Sequence, residues 1–449
     1  MTQSPWAILL CKFKDNETEP YTRTRYEELF TSAGAGKWNM PDFFHDMSHG
    51  KLDLSGSRVL GWYTLEQRHE DYLAEARQPG LTEEQRADAI NKGRNDLLNW
   101  ARQAAGAARE TLDGYKVLVC MNVPTDLFGG GNGAVCHDDR DPLNGMSGMS
   151  PSLLGQEMGH VYGLEHSKED GSDAEYGDQW DVMSTARAFM APHPVFTDSD
   201  AAGRPVFLLG PGLNAANMWR VGWLDEARTW QSTARSLDTV VTLRPLHRPD
   251  LPGFLAIRLG DYFVEFRVAE RWDAGIHEPA VLLHRLDGEH STLMSASDGR
   301  QAFGAGSSYA ESFSLPGVIS SSLRIEVAAI DGEHHWAKIR LHLHRSIVNT
   351  VPVDRGPYIN PQVAWALLAD GRVQPVAPAS PLRQALTDLA NYEQGATLAS
   401  PDLRRAVQLE ALASLAARAQ AQMRTLLGLR QPAAAQRARH CEGGPRNTE

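Results

Sequence analysis

The sequence predicts an α/β (α+β) domain over residues 1–232, an all-β antiparallel sandwich over 233–349 and a helical C-terminal extension over 350–449. Three observations carry this. Apolar strand-like runs interleave with helical periodicity as far as residue 232. Short alternating runs separated by turn residues follow. After residue 400, Leu, Ala and Met recur at three- and four-residue spacing. A length of 449 residues with 42% hydrophobic content suits two or three domains and a large buried core.

Residues 6–13 are an apolar run and form a buried strand. Residues 24–32 and 41–47 form short helices, the second with Phe43, Phe44 and Met47 on one side. A second strand covers 57–63. A long amphipathic helix covers 82–111, starting at Thr82 with Glu84 following and ending near Gly114. Residues 115–123 are another apolar strand, and 128–149, rich in Gly, Asp and Met, form a loop around a short strand. The sandwich strands fall at 239–243, 254–259, 262–267, 280–286, 323–330 and 336–344. Residues 350–400 are Pro-rich and loop-like with weak helical stretches. Residues 401–428 form a helix, with Leu409, Leu412, Ala416, Ala419, Met423 and Leu426 as its packing stripe. That stripe docks on the same chain or forms an oligomer contact, and the tail 430–449 is expected to be disordered.

The net charge of −12 argues against nucleic acid or an anionic membrane as partner. The charge is uneven: residues 401–449 hold eight Arg, no Lys and four acids, a net +4 that leaves −16 for the rest. Four cysteines, Cys11, Cys120, Cys136 and Cys441, are too few for a disulfide framework in a chain of this length. The N-terminal residues lack a basic segment and a long apolar run, so the expected location is cytoplasmic or reached by a route without a cleaved signal.

The chemistry concentrates in Gln156-Glu157-Met158-Gly159-His160-Val161-Tyr162-Gly163-Leu164-Glu165-His166. Ser150-Pro151 opens a helix, with a capping hydroxyl and Pro in the first turn. On that helix Gln156 and His160 are i and i+4 and share a face, while Glu157 is rotated by about 100°. Gly163 lets the chain leave by a left-handed turn that returns His166 to the same point. Two imidazoles, a third donor at 156 and one open position are what a catalytic metal site requires, with Glu157 placed to act as general base.

These residues resemble the elongated metzincin motif HExxHxxGxxH, with Gln156 in place of its first His. Asp181-Val182-Met183-Ser184 is similar to the Met-turn that floors a metzincin site. Tyr176-Gly177-Asp178-Gln179-Trp180 resembles the segment before that turn in the immune inhibitor A and gametolysin families, and the run from Leu213 to Leu224 resembles the helix closing their catalytic domain. The opening strand, the stretch from Phe43 to Gly50 and Tyr262-Phe263-Val264-Glu265-Phe266-Arg267 are also similar, so the resemblance covers residues 5–345. Gametolysin-like sequences include a variant with Gln at the first ligand position.

The resemblance implies a Zn2+-dependent endopeptidase with Glu157 as general base and acid, Gln156, His160 and His166 as metal ligands, and Met183 as a structural floor. Its partners are protein or peptide substrates. An amide oxygen is a harder, weaker ligand than imidazole, so another divalent metal such as Cu2+ stands beside zinc. Gln is neutral, like His, and keeps the charge of a three-histidine site. For Gln156 a non-ligand that hydrogen-bonds a water is the competing role. Asp170, Asp173, Glu175, Asp178 and Asp181 form a solvated acidic loop, with Ca2+ binding as the alternative. Cys136 and His137 precede the helix, where a thiolate could act as a latency switch on the metal. The rival reading from another class is a catalytically silent pseudopeptidase that acts as a binding protein. Hydrolysis of a non-peptide amide is a third reading.

Overall fold

The first apolar run becomes β1 (Trp6–Lys12), whose first six residues are buried because both faces of the sheet are covered. β1 pairs in parallel with β2 (Arg58–Thr64) on one side and β3 (Lys116–Met121) on the other. The Gly-rich segment read as a loop around one short strand holds two strands, β4 (Phe128–Gly130) and β5 (Gly133–His137). β5 runs parallel beside β3, and β4 is antiparallel at the edge, giving the order β2-β1-β3-β5-β4. Helices lie on both faces. α1 (Arg23–Phe30) and α2 (Met40–Met47) pack with Ile8, Leu10, Leu118 and Cys120. α3 (Glu83–Ala107) packs Leu97, Leu98, Ala101 and Ala105 against Ala7, Leu9, Val117 and Val119. The start of α3 is set by a capping box between Thr82 and Gln85, one residue past the Glu84 that the sequence suggests.

The computed structural model describes residues 1–138, 145–185, 188–234, 236–315 and 319–347, with strand residues 365–367 and 373–375. Met1–Val348 form one compact unit and Asn349–Glu449 a second. The expected helix 401–428, its stripe and the tail 430–449 lie outside the described residues, as does Cys441. Among the described residues no helix is long and apolar enough to cross a membrane.

The helix carrying the motif is α4 (Pro151–Val161), on the same face as α1 and α2. Ser150 stands at its N-cap but makes no side-chain cap. Its hydroxyl instead donates to Val206 O at 3.1 Å and accepts from Leu208 N at 3.1 Å, tying the helix start to a distant strand.

The rest of the first unit is strand-rich. Three further strands are β6 (Lys168–Glu169), β7 (Thr229–Gln231) and β8 (Ser236–Leu243). The remaining ranges are β9 (Ala256–Leu259), β10 (Tyr262–Arg267), β11 (Ala280–Asp287), β12 (His290–Leu293), β13 (Ser308–Leu315), β14 (Ile319–Asp331) and β15 (Trp336–Ile347). The strand orders are β7-β9-β10-β11-β12-β6 and β8-β15-β14-β13. Val264, Phe266, Val281 and Leu283 from the first sheet share one core with Val241, Ile325, Ile339 and Leu341 from the second. β12 and β13 were not expected. The first has only four residues, and the second is an edge strand with a Ser- and Glu-containing sequence that lacks clean alternation. In the second unit β16 (Trp365–Leu367) and β17 (Val373–Pro375) pair antiparallel, where the sequence reads as a loop. The architecture is mixed α/β, with many strands and few helices.

Candidate metal centre

α4 is a buried helix, and its functional face is set by what it packs against. A Cβ added at Gly155 would lie 3.0 Å from the Phe43 ring and 3.1 Å from Val182. One added at Gly159 would lie 3.0 Å from Met183 Sδ. Two glycines four residues apart on one helix face therefore let α2 and the 3-10 turn Val182–Ser184 pack close against it. Met183 is fully buried against the helix one residue before His160.

α4 ends at Val161, and Gly163 takes φ +88°, the left-handed exit that the sequence requires. His166 then faces His160, with Nε2 to Nε2 at 3.1 Å. Each ring is anchored from its far nitrogen: His160 Nδ1 meets Leu164 O at 2.7 Å and His166 Nδ1 meets Glu175 Oε2 at 2.7 Å. Both anchors are acceptors, so both Nδ1 atoms carry the proton and both Nε2 atoms present bare lone pairs. Two bare lone pairs at 3.1 Å repel unless a cation or a proton lies between them. Tetrahedral Zn–N bonds of about 2.0–2.1 Å would place two nitrogens about 3.3–3.4 Å apart, close to what is found. Burial, with His166 alongside, pushes His160 down to about 3, which keeps its ring neutral at ordinary pH.

Gln156 and Glu157 are both 5% exposed. Gln156 Oε1 accepts from Thr185 N at 3.0 Å, and its Nε2 donates to Glu157 Oε1 at 3.3 Å. The amide therefore bridges the turn after Met183 to the carboxylate, and its oxygen keeps one lone pair. Among the described residues no three His, Cys, Asp or Glu side chains converge on one point. The convergence is of two imidazoles, with an amide as the candidate third donor.

The acidic run divides. Glu175 pairs with His166, whereas Asp178 and Asp181 are fully buried structural acceptors. Asp181 Oδ2 accepts from Ser167 Oγ at 2.6 Å and Asn214 Nδ2 at 2.7 Å, and also from Asn217 Nδ2. Asp178 accepts from Trp180 N and from His284 Nε2, both at 2.9 Å. These bonds tie the turn Val182–Ser184 to α5 (Ala215–Arg220) and to β11. Beside them Arg267, fully buried, holds Asp273 through Nε and Nη2 at 2.7 and 2.6 Å and Glu265 through Nη1 at 2.9 Å. Its Nη2 also donates to Trp180 O at 3.0 Å and Gly212 O at 3.2 Å.

Two groups in this cluster bind protons more tightly when folded. Burial, reinforced by Asp178, lifts Asp181 to about 7. Burial opposes the charged form of His284, but Glu265 and Asp178 outweigh it and raise the imidazole above its ordinary value. For a raised pKa the stabilisation is present at low pH and is lost as pH rises through the folded value. Asp181 loses it up to about 7, and His284 loses it from about 6.5 upward. Urea unfolding is therefore expected to give lower stability at pH 9 than at pH 6.5, and a His284→Gln variant is expected to flatten that slope.

The sulfurs of Cys136 and Cys120 pack on Met149 Sδ at 3.6 and 3.4 Å in the core, and His137 is buried beside them in sequence. Of the sandwich histidines, His342 faces Asp238 at 3.4 Å and His344 faces Ser236 Oγ at 3.1 Å, ordinary surface partners. Glu175, Thr185 and Arg267 are site-forming residues that sequence reasoning missed or placed in other roles. The signal that could have found Glu175 is the acceptor that an imidazole in a metal site needs at its far nitrogen.

The edge strand β4 lies directly against α4. A Cβ on Gly129 would come within 1.8 Å of Glu157 O, so glycine is required for this approach.

No family model matches the chain, and no curated protein matches it. Two solved structures are similar, both of wild-type OgpA from Akkermansia muciniphila in different crystal forms. Identities are 13% and 14% and TM-scores 0.27 and 0.26, over 76% of this chain and 94% and 95% of those chains. Likeness at this level bears on neither fold nor chemistry, which rest here on the geometry itself.

Proposed function

We propose that this chain is a metzincin-type metalloendopeptidase, with a β-sandwich following its catalytic domain and Zn2+ as its metal. The observation that carries the proposal is the facing pair of bare Nε2 atoms of His160 and His166, each ring held from behind by an acceptor. Such a pair is ordered for a cation. His160 and His166 would hold the metal, and the remaining lone pair of Gln156 Oε1 supplies the third donor. When bound, zinc supplies Lewis acidity that brings a water's pKa toward about 7 and polarises a peptide carbonyl. Glu157 accepts the proton of the attacking water and returns it to the leaving amine. The Gln156 amide N–H holds the Glu157 carboxylate in place for both transfers. Among the described residues β4 is the edge strand of its sheet and lies against the Glu157 backbone, so an extended peptide can add beside it as a further strand.

The test is cleavage of a denatured protein substrate by purified full-length chain. Cleavage that a chelator abolishes and added zinc restores supports the reading, and activity no greater than that of a Glu157→Ala control refutes it. Gln156→His is expected to bind zinc more tightly, with activity kept or raised, as measured by competition with a chromophoric chelator. Unchanged affinity would mean that the amide oxygen is not a donor.

One observation favours the second reading, a silent pseudopeptidase that binds a partner. Gln156 is hydrogen-bonded at both ends of its amide, which suits a structural strut as well as a ligand.

A further inference from the structure

We propose that Glu175 is a positioning residue of the metal centre, fixing the tautomer and orientation of His166 and supplying negative charge behind a site weakened by Gln156. The inference rests on the reading of His160 and His166 as metal ligands. In the sequence Glu175 belongs to an acidic run that reads as a solvated loop. In the fold it is half-buried and its Oε2 lies 2.7 Å from His166 Nδ1. The carboxylate is on the side of the ring opposite Nε2, so it acts through the imidazole and not on the ion.

The chain around it is built to hold this contact. Glu175 bridges Lys168 in an isolated antiparallel pair, and Gly177 N donates to Ser167 O at 3.1 Å, closing the loop back on His166. A Cβ on Gly177 would lie 2.6 Å from Glu169 N, so the return strand needs glycine there. Tyr176 takes φ +64°, uncommon for a non-glycine residue, and its ring lies over the His166 ring at a centroid distance of 4.1 Å. His290 Nδ1 meets His166 O at 2.8 Å from the neighbouring β12. His166 is therefore held at its far nitrogen, its ring face and its carbonyl. His160 has the carbonyl of Leu164 behind it.

A carboxylate behind an imidazole makes the ring a better donor, and loss of such a partner typically weakens metal affinity about 10–100-fold. Glu175 sets a negative charge behind one of the two imidazoles that would hold a divalent ion. That charge is useful where Gln156 gives a weaker grip than imidazole would.

The experiment has two arms on the full chain. In the first, zinc affinity is measured by chelator competition for wild type, Glu175→Gln and Glu175→Ala. The expected result is a loss of about 10–100-fold in both variants, with the metal-free thermal midpoint unchanged. Affinity within twofold of a zinc-binding wild type overturns the inference. In the second, imidazole 15N spectra of metal-free protein report the His166 tautomer. Wild type is expected to show Nδ1–H alone, and Glu175→Ala a mixture. An unchanged tautomer in Glu175→Ala overturns the inference independently of metal. A wild type that binds no zinc refutes the metal reading, and the tautomer arm still decides what Glu175 does.

Discussion

Glu157→Gln is expected to lower kcat by about 10²–10⁴ while leaving zinc affinity unchanged. The substitution keeps the size of the side chain and its contact with Gln156 Nε2 through the amide oxygen, but removes the group that takes up a proton. Glu157 is 5% exposed, so no solvent carboxylate can stand in for it. The loss should appear in kcat and in kcat/KM alike, because the proton transfer belongs to the transition state and not to substrate binding. A KM that rises while kcat is kept would instead place Glu157 in substrate binding. The assay is steady-state hydrolysis of an internally quenched peptide, paired with a zinc titration of the same preparations.

Replacing Arg267 with Met is expected to destabilise the fold by about 3–5 kcal/mol. The guanidinium is fully buried, with Glu265 at 2.9 Å and Asp273 at 2.6 Å, and it also satisfies the carbonyls of Trp180 and Gly212. Without it Asp273 stays buried without its paired cation and Glu265 is left with His284 alone, 3.6 Å away, so much of their desolvation goes uncompensated. Neutralising them in the same chain, with Glu265→Gln and Asp273→Asn, should recover most of the loss. That recovery would show that the cost comes from stranded charge and not from lost packing. Equilibrium urea unfolding measures each step. Because Trp180 and Gly212 flank the turn beneath His160, the single variant should also weaken zinc binding.

Much of the candidate site can be read from local spacing. The i, i+4 relation of Gln156 and His160 and the left-handed turn at Gly163 follow from helix geometry and from glycine's freedom at φ +88°, whereas the Met183 floor is what the resemblance implies. What stayed hidden depends on contacts distant in sequence or on which strand face is covered. Arg267 and Glu265 alternate with Val264 and Phe266 on β10, so the pattern suggests a solvated face. β10 lies inside a six-stranded sheet, and the start of α5 at Ala215 and the segment at Trp180 bond Glu265 and Arg267 on its second face, so the charges are buried and must pair. Glu175 looked like one more acid in a loop, because nothing within its own segment distinguishes it from Asp173. Its role appears only once the chain folds back on His166. Ser150 reads as a cap by type and position, yet its hydroxyl is recruited by Val206 and Leu208 from more than 50 residues away.

The central claim is that the facing imidazoles of His160 and His166 form a metal centre. Equilibrium zinc titration of the full-length chain, compared with His160→Ala and His166→Ala, tests it most directly. The account predicts one tightly bound zinc per chain in the wild type and at least a hundredfold weaker binding in each variant, with the fold retained by circular dichroism. Substoichiometric zinc in the wild type, or the same affinity after either histidine is removed, would contradict it.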